Sequence, residues 1–233
     1  MKNITLLLPT KDHEESILNN FAQLKKFCTE NIKSFEILII SNGSSSHSLN
    51  LIEDIKHHSF VNHMILDKPG KGAAVKQGLI NSEFKNIVIF DADFSYDIDN
   101  LKKFFDEKEH PKSSFMYVSR ILSRELFSNV SLLRLVAGRV YNFLVKKILK
   151  IDSNDTQAGF KFIDKSIFTN CANFTSDNFD FDIELFLLAK KIGIKPIPIF
   201  TKDVVVGKHS NIGVFKDSVE MLINLFKIRK MYL

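Results

Sequence analysis

The stretch Asn86-Ile-Val-Ile-Phe-Asp-Ala-Asp-Phe-Ser95 decides how this chain is read. Ile87 to Phe90 form an unbroken apolar run with β-branched members, the pattern expected of a short strand buried on both faces of a sheet. The run stops at Asp91 and Asp93, with only the small Ala92 between them. In open α/β sheets, ligands sit beyond the carboxyl ends of the strands. Two acids at that edge repel each other unless a cation lies between them, and hard oxygen ligands suit Mg²⁺ or Mn²⁺. A cation held there is placed to bind the diphosphate of a nucleotide. The simpler reading is a loop whose acids cap the next helix at Asp97.

Outward from this stretch, apolar runs and helical periodicities alternate. Strands are expected at Ile4 to Leu8, Phe35 to Ile40, Val61 to Leu66 and Phe115 to Val118. Between them, Ile17, Leu18, Phe21, Leu24 and Phe27 follow helical spacing, Leu49, Ile52 and Ile55 mark a short helix, and Leu101, Phe104 and Phe105 another. Lys68-Pro-Gly-Lys-Gly-Ala-Ala-Val-Lys-Gln-Gly78 is a glycine turn entering a helix. This alternation predicts a mostly parallel, Rossmann-like sheet flanked by helices on both faces. At 233 residues the chain is expected to be a single domain, with a nucleotide-binding half over 1–120 and an acceptor half over 121–233.

In the second half, Ser131 to Lys150 is a long helix candidate rich in Leu, Val and Phe. At about 100° per residue, Arg134, Arg139, Asn142, Lys146 and Lys150 fall on one side, with Lys147 straying. A basic face opposite a broad apolar one suits a helix lying in a membrane interface, or a core helix with a solvated stripe. Asn154-Asp-Thr-Gln-Ala-Gly-Phe-Lys161 reads as a polar turn. Phe179 to Ala189 starts a helix with Asp180, Asp182 and Glu184 where the dipole favours them; capping fully accounts for Asp180. Ile194 to Ile199 is a last strand whose two prolines suggest an edge, and Val214 to Ile228 a closing amphipathic helix trailed by basic residues.

Composition narrows the partners. A net charge of +5 favours anionic ones. The aromatics lie mostly in apolar runs, with no stacking platform interleaved with arginine, which argues against nucleic acid. Cys28 and Cys171 lie far apart without a metal-like cluster and read as reduced, buried thiols of a cytosolic protein. Neither a signal peptide nor a membrane-spanning run is expected. Gly70-Lys-Gly-Ala-Ala-Val75 has the wrong lysine position for a P-loop and the wrong place and third residue for a dinucleotide fingerprint. There is no zinc-ligand cluster and no G-x-S-x-G elbow.

The motif order resembles that of the family 2 glycosyltransferases of the GT-A fold, and within them the dolichyl- or polyprenyl-phosphate glycosyltransferases. The resemblance runs from Leu6 to about Arg229 and rests on Pro9-Thr10, Asn42-Gly-Ser44, Gly70 to Val75, Asp91-Ala-Asp93, Ser119-Arg120, Asp155 to Lys161 and Phe181-Asp-Ile-Glu184. It implies an inverting, Mg²⁺- or Mn²⁺-dependent transfer of sugar from a UDP- or GDP-linked donor to a polyprenyl phosphate at the cytosolic membrane face. Pro9, Thr10, Asp12, Asn42, Lys71 and Gly72 would then contact the donor, and Asp91 and Asp93 would hold both the metal and the donor. Ser119, Arg120, Arg134, Gln157, Lys161 and Asp182 would line the acceptor cavity, with Arg120 and Arg134 placing the phosphate. A membrane-protein partner or a homodimer is compatible with this reading. The chain departs from the pattern at Lys11, Asp12 and His13, where the family usually has Tyr-Asn-Glu, and at Ser41-Asn42, where an Asp pair is common. The loop at Lys208-His209-Ser210 lacks an Arg often seen there. These departures bear on the donor's base and sugar rather than on the reaction class. The alternative is a family 2 enzyme with a sugar-hydroxyl acceptor, which needs a general base; Asp182 and Glu184 are the candidates.

Overall fold

Strand β1 (Asn3–Thr10) shows how the layers arise, because its side chains alternate between two cores. Ile4, Leu6 and Leu8 enter one core and Leu7 the other. The computed structural model describes residues 3–105, 115–119, 132–153, 155–169, 180–201 and 214–232, with backbone alone at 132–135, 137, 168–169 and 214–221. The further strands are β2 (Ser34–Asn42), β3 (Val61–Leu66), β4 (Asn86–Ile89), β5 (Phe115–Ser119), β6 (Lys161–Asp164) and β7 (Ile197–Phe200). Together they form one seven-stranded sheet in the order β3-β2-β1-β4-β6-β5-β7.

All neighbours are parallel except β6, which runs antiparallel to both β4 and β5. The sequence places Lys161 at the end of a polar turn, and strand β6 departs from that expectation. Only four residues long, Lys-Phe-Ile-Asp opens on a charge and closes on one, so its apolar signal is two residues. Phe162 nevertheless faces one core and Ile163 the other. The expected edge position of the proline-containing last strand holds: among the described strands, β7 pairs only with β5.

The helices are α1 (Glu14–Asn31), α2 (Ser46–Leu51, continued by a 3₁₀ turn at Ile52–Asp54), α3 (Lys71–Asn81), α4 (Lys102–Phe105, preceded by a 3₁₀ turn at Ile98–Leu101), α5 (Leu132–Leu149), α6 (Ser166–Thr169), α7 (Phe181–Lys191) and α8 (Val214–Tyr232). Helix α1 buries Ile17, Phe21, Leu24 and Phe27, the expected stripe, and large apolar side chains contribute about 1.5–3 kcal/mol each when fully buried. Behind β4 and β6, Phe160 stacks on Phe104 at 5.1 Å and meets Phe90 edge-on at 4.8 Å. This aromatic cluster ties α4 to the centre of the sheet.

One expectation about the second half is corrected and another is refined. The outward side of helix α5 carries apolar as well as basic residues. Tyr141, Val145 and Leu149 are buried, while Val136, Val140 and Phe143 are exposed alongside Arg139 and Lys147. The outward stripe is therefore mixed apolar and basic. Asp180 does occupy the N-cap position of α7, but its side chain makes no cap hydrogen bond. Its Oδ2 instead accepts from Asn224 Nδ2 of α8 at 2.7 Å. A second tie between these helices runs from the Tyr232 hydroxyl to Glu184 Oε1 at 3.0 Å.

Candidate functional site

The antiparallel strand is what assembles the site. Ile89 at the end of β4 stands opposite Lys161 at the start of β6. Continuing that register sets Gly159 against Asp91, so closely that a Cβ on Gly159 would lie 1.7 Å from Asp91 Oδ2. Only glycine fits there. The other oxygen, Oδ1, accepts a short charged hydrogen bond from Lys71 Nζ, at the first residue of α3. One carboxylate oxygen of Asp91 is thus ion-paired, and the other lies close against Gly159.

A second ion pair lies deeper. Lys161 Nζ donates to Asp182 Oδ1 at 2.7 Å and also to the Ala158 carbonyl, with side-chain exposures of 1% for Lys161 and 4% for Asp182. Phe181, fully buried at the start of α7, carries both ammonium groups, each 5.8 Å from its ring centroid, within cation–π range. Burial pulls the Lys71 ammonium down, but Asp91, Asp182 and Asp93 outweigh it and hold the group above the usual lysine value. Burial pushes the Asp182 carboxyl above the usual carboxylate range despite Lys161 and Lys71, and Asp91 adds to the rise.

Asp93 is exposed, and its Oδ1 accepts the Ser95 N–H at 3.0 Å. Asp97, not the pair, does the capping, accepting from Asp99 N at 3.0 Å. Between the two acids and their turn, Phe94 adopts a left-handed φ of 50°, and after β1 Asp12 adopts one of 57°.

At the carboxyl ends of β1 and β2, Pro9 and Thr10 are buried. Asn42 ties this corner together: its Nδ2 donates to the Thr10 carbonyl at 2.6 Å and its Oδ1 accepts from Gly70 N at 3.0 Å. Next to it, Gly43 takes a φ of 71° with Pro69 N only 2.8 Å from where a Cβ would be. Asp12 Oδ1 accepts from Ser45 N at 2.8 Å and from the Ser48 hydroxyl at 3.0 Å, which lowers its carboxyl below the usual range. Gly72 is buried in the first turn of α3. Ser119 is buried at the end of β5, on the same edge because two antiparallel pairings restore its direction to that of β4, and Gln157 is half-buried. Arg120 lies outside the described residues, as do Cys171 and the 208–210 loop; Arg134 lies on α5 where backbone alone is described.

The geometry therefore brings Lys71, Asp91, Lys161 and Asp182 into one charge network, with Asp93 at its rim. Gly159 and Phe181 organise it, and their roles are invisible without the register of β6. Another polar group escaped the sequence reading. The Ser41 hydroxyl donates to Glu14 Oε1 at 2.7 Å and lies 3.0 Å from His63 Nε2. Burial holds the His63 imidazole below its usual value, with Glu14 and Glu53 opposing. Among the described residues, Glu14 Oε2, Thr10 Oγ1 and the Tyr141 hydroxyl are buried without a hydrogen-bond partner.

Among the described residues no three His, Cys, Asp or Glu side chains converge as a metal site. Asp91 and Asp93 still suit Mg²⁺ or Mn²⁺, which are commonly held by one or two carboxylates plus substrate phosphates. That Asp91 already draws an ammonium group shows its demand for a cation.

This sheet, with its inserted antiparallel strand and acidic carboxyl edge, is the GT-A glycosyltransferase fold. Mannosyl-3-phosphoglycerate synthase from Rubrobacter xylanophilus superimposes with a TM-score of 0.73 at 12% identity, over 97% of this chain and 73% of that one. Glucosyl-3-phosphoglycerate synthase from Mycobacterium tuberculosis, in complex with Mn²⁺ and UDP-glucose, gives 0.70 at 11% identity, over 97% and 78%. Residues 5–171 match glycosyl transferase family 2, and the chain belongs to that family: it is a glycosyltransferase. It is 24% identical over 245 residues to a dolichyl-phosphate beta-glucosyltransferase of Dictyostelium discoideum, covering 99% of this chain and 75% of that relative.

Proposed function

We propose that this glycosyltransferase moves a sugar, with inversion, from a UDP-linked donor to a polyprenyl or dolichyl phosphate at a membrane surface. The single observation that carries the acceptor assignment concerns the two candidate general bases. A hydroxyl acceptor needs a carboxylate that can reach its proton. Asp182 has the raised basicity, but its Oδ1 is held by Lys161 and the residue is 3% exposed. Glu184 is fully buried and accepts from Tyr232. A phosphate monoester, with a second pKa of about 6, is already largely ionised at neutral pH and needs no base. The name of the Dictyostelium relative points the same way.

In this reading the chain is one domain, with the donor bound by the 1–120 half and the acceptor by the rest. Asp91 and Asp93 hold Mg²⁺ or Mn²⁺, which when bound supplies Lewis-acid stabilisation of the departing diphosphate. Lys71 neutralises the same region, and Pro9, Thr10, Asp12, Asn42 and Gly72 shape the nucleoside side. Arg120 and Arg134 place and desolvate the acceptor phosphate on the opposite face of the sugar, with Ser119, Gln157 and the Lys161–Asp182 pair forming the wall behind it. The UDP-glucose and Mn²⁺ of the mycobacterial complex support the donor and metal choice.

No helix among the described residues is long and apolar enough to cross a membrane. Docking falls to the mixed stripes of α5 and α8, which pack on each other. Exposed Val136, Val140 and Phe143 sit beside Arg139 and Lys147, and exposed Ile223, Phe226 and Met231 beside Lys227, Arg229 and Lys230. Each basic residue near an anionic leaflet contributes about 1 kcal/mol, and the apolar stripes add insertion. The peripheral enzyme thus meets its lipid from the cytosolic side. The test is transfer from UDP- and GDP-sugars to undecaprenyl phosphate with and without Mn²⁺. A metal-dependent, acid-labile glycolipid is expected; donor hydrolysis without lipid product would move the acceptor to a sugar hydroxyl and defeat the assignment.

A further inference from the structure

We infer that Lys71 is an internal cation that competes with the divalent metal for Asp91, so that metal and nucleoside diphosphate bind as a coupled pair rather than independently. This rests on the metal reading above and specifies how that site is loaded. The starting observation is that Lys71 already holds Oδ1 of Asp91, while Oδ2 lies where a Cβ on Gly159 would fall. Asp93, exposed and with one oxygen on Ser95 N, offers a metal a single carboxylate at the rim. Mg²⁺ and Mn²⁺ gain little from one exposed carboxylate, since hard cations give up water reluctantly. Metal entry at Asp91 therefore competes with the ammonium group for the carboxylate.

Lys71 cannot leave for nothing. Its Nζ sits among Asp91, Asp182 and Asp93 and over the Phe181 ring, in a partly buried place where an unpaired charge is costly. A nucleoside diphosphate solves both problems. It offers the ammonium group phosphate oxygens in exchange for the carboxylate, at the amino end of α3, where the helix dipole also favours anions. A metal bound at Asp91 would draw on the same phosphate oxygens. Ion pairs are exchanged and none is simply broken. Before the donor arrives, Lys71 keeps two carboxylates at the sheet edge compatible without a metal.

The test measures Mn²⁺ binding directly, by the electron paramagnetic resonance of free Mn²⁺, on wild type, Lys71→Met and Lys71→Arg, first without nucleotide and then with UDP. Without nucleotide, Lys71→Met is expected to bind Mn²⁺ more tightly than wild type, by roughly the 5–150-fold typical of coupled sites. Lys71→Arg, which keeps the charge, is expected to stay as weak as wild type. With UDP the gap closes. Lys71→Gln, which preserves a hydrogen bond to Asp91, is measured in place of the Met variant if thermal unfolding shows that variant to be misfolded. Equal Mn²⁺ affinity of wild type and the neutral variants without nucleotide overturns the inference and leaves the metal site standing. If no variant takes Mn²⁺ even with UDP, beyond what UDP binds alone, the metal reading itself falls and the inference with it.

Discussion

Replacing Lys161 with Met isolates the deeper ion pair. The side chain stays unbranched and similar in size but loses the ammonium group with its bonds to Asp182 and the Ala158 carbonyl, leaving Asp182 buried opposite a thioether. Lys161 and Asp182 are 1% and 4% exposed and 2.7 Å apart, so solvent screens little of their attraction. Removing one partner of such a pair costs about 3–5 kcal/mol, and at about 2–4 °C per kcal/mol for a chain of this size the melting temperature falls by about 6–20 °C. Lys71, which also attracts Asp182, places the loss toward the lower end. The pH dependence has a definite sign. Burial already raises the Asp182 carboxyl, so the folded chain binds its proton more tightly than the unfolded chain, and acidification favours the fold. Without Lys161 the rise is larger, so the deficit shrinks as pH falls from about 7 toward the ordinary carboxylate value near 4. The double variant Lys161→Met/Asp182→Leu recovers most of the stability. Urea midpoints and thermal melts at several pH values measure all three effects. An unchanged melting temperature, or a deficit that grows on acidification, refutes the reasoning.

Gly159→Ala drives a methyl group into Asp91 Oδ2; a loss of about 1–3 kcal/mol is expected in urea unfolding, with weaker Mn²⁺ uptake in the presence of UDP. Asn42→Ala strips the partner from the buried Gly70 N–H and from the Thr10 carbonyl, at about 1–3 kcal/mol for a buried group left unsatisfied, read from the urea midpoint. Combining Phe143→Asp with Phe226→Asp puts charge into both exposed apolar stripes, so flotation with anionic vesicles is expected to drop several-fold while the melting temperature stays within a few degrees.

The parallel part of the sheet was legible because each strand there carries at least three consecutive apolar or β-branched residues, and α1 because its apolar residues form a clean stripe. The Asp91–Asp93 edge was legible for the same reason: acids after an apolar run mark a strand's carboxyl end. What escaped depends on long-range pairing. Strand β6 has too few apolar residues to announce itself, and without it Gly159 and Lys161 seem to belong to a polar loop far from Asp91. Asp180 misled in a related way. Its position at a helix start predicts capping, but Asn224, distant in sequence, takes its carboxylate. The amphipathic character of α5 is legible, but only the packing of Tyr141, Val145 and Leu149 reveals that Val136, Val140 and Phe143 face outward.

The place of β6 also governs the order in which the chain can be completed during synthesis. Strand β4 has β1 on one side as soon as the first 89 residues are made, but its other neighbour is β6, more than seventy residues later. Among the described strands β5, though made in between, finds its partners only in β6 and β7. A nascent chain therefore carries β4 as an open edge, the kind of edge on which chains aggregate. Fragments ending near residue 120 inherit the same bare edge. Expressed alone, the first 120 residues are expected to be poorly soluble, and adding residues through 164 is expected to restore β4's second neighbour.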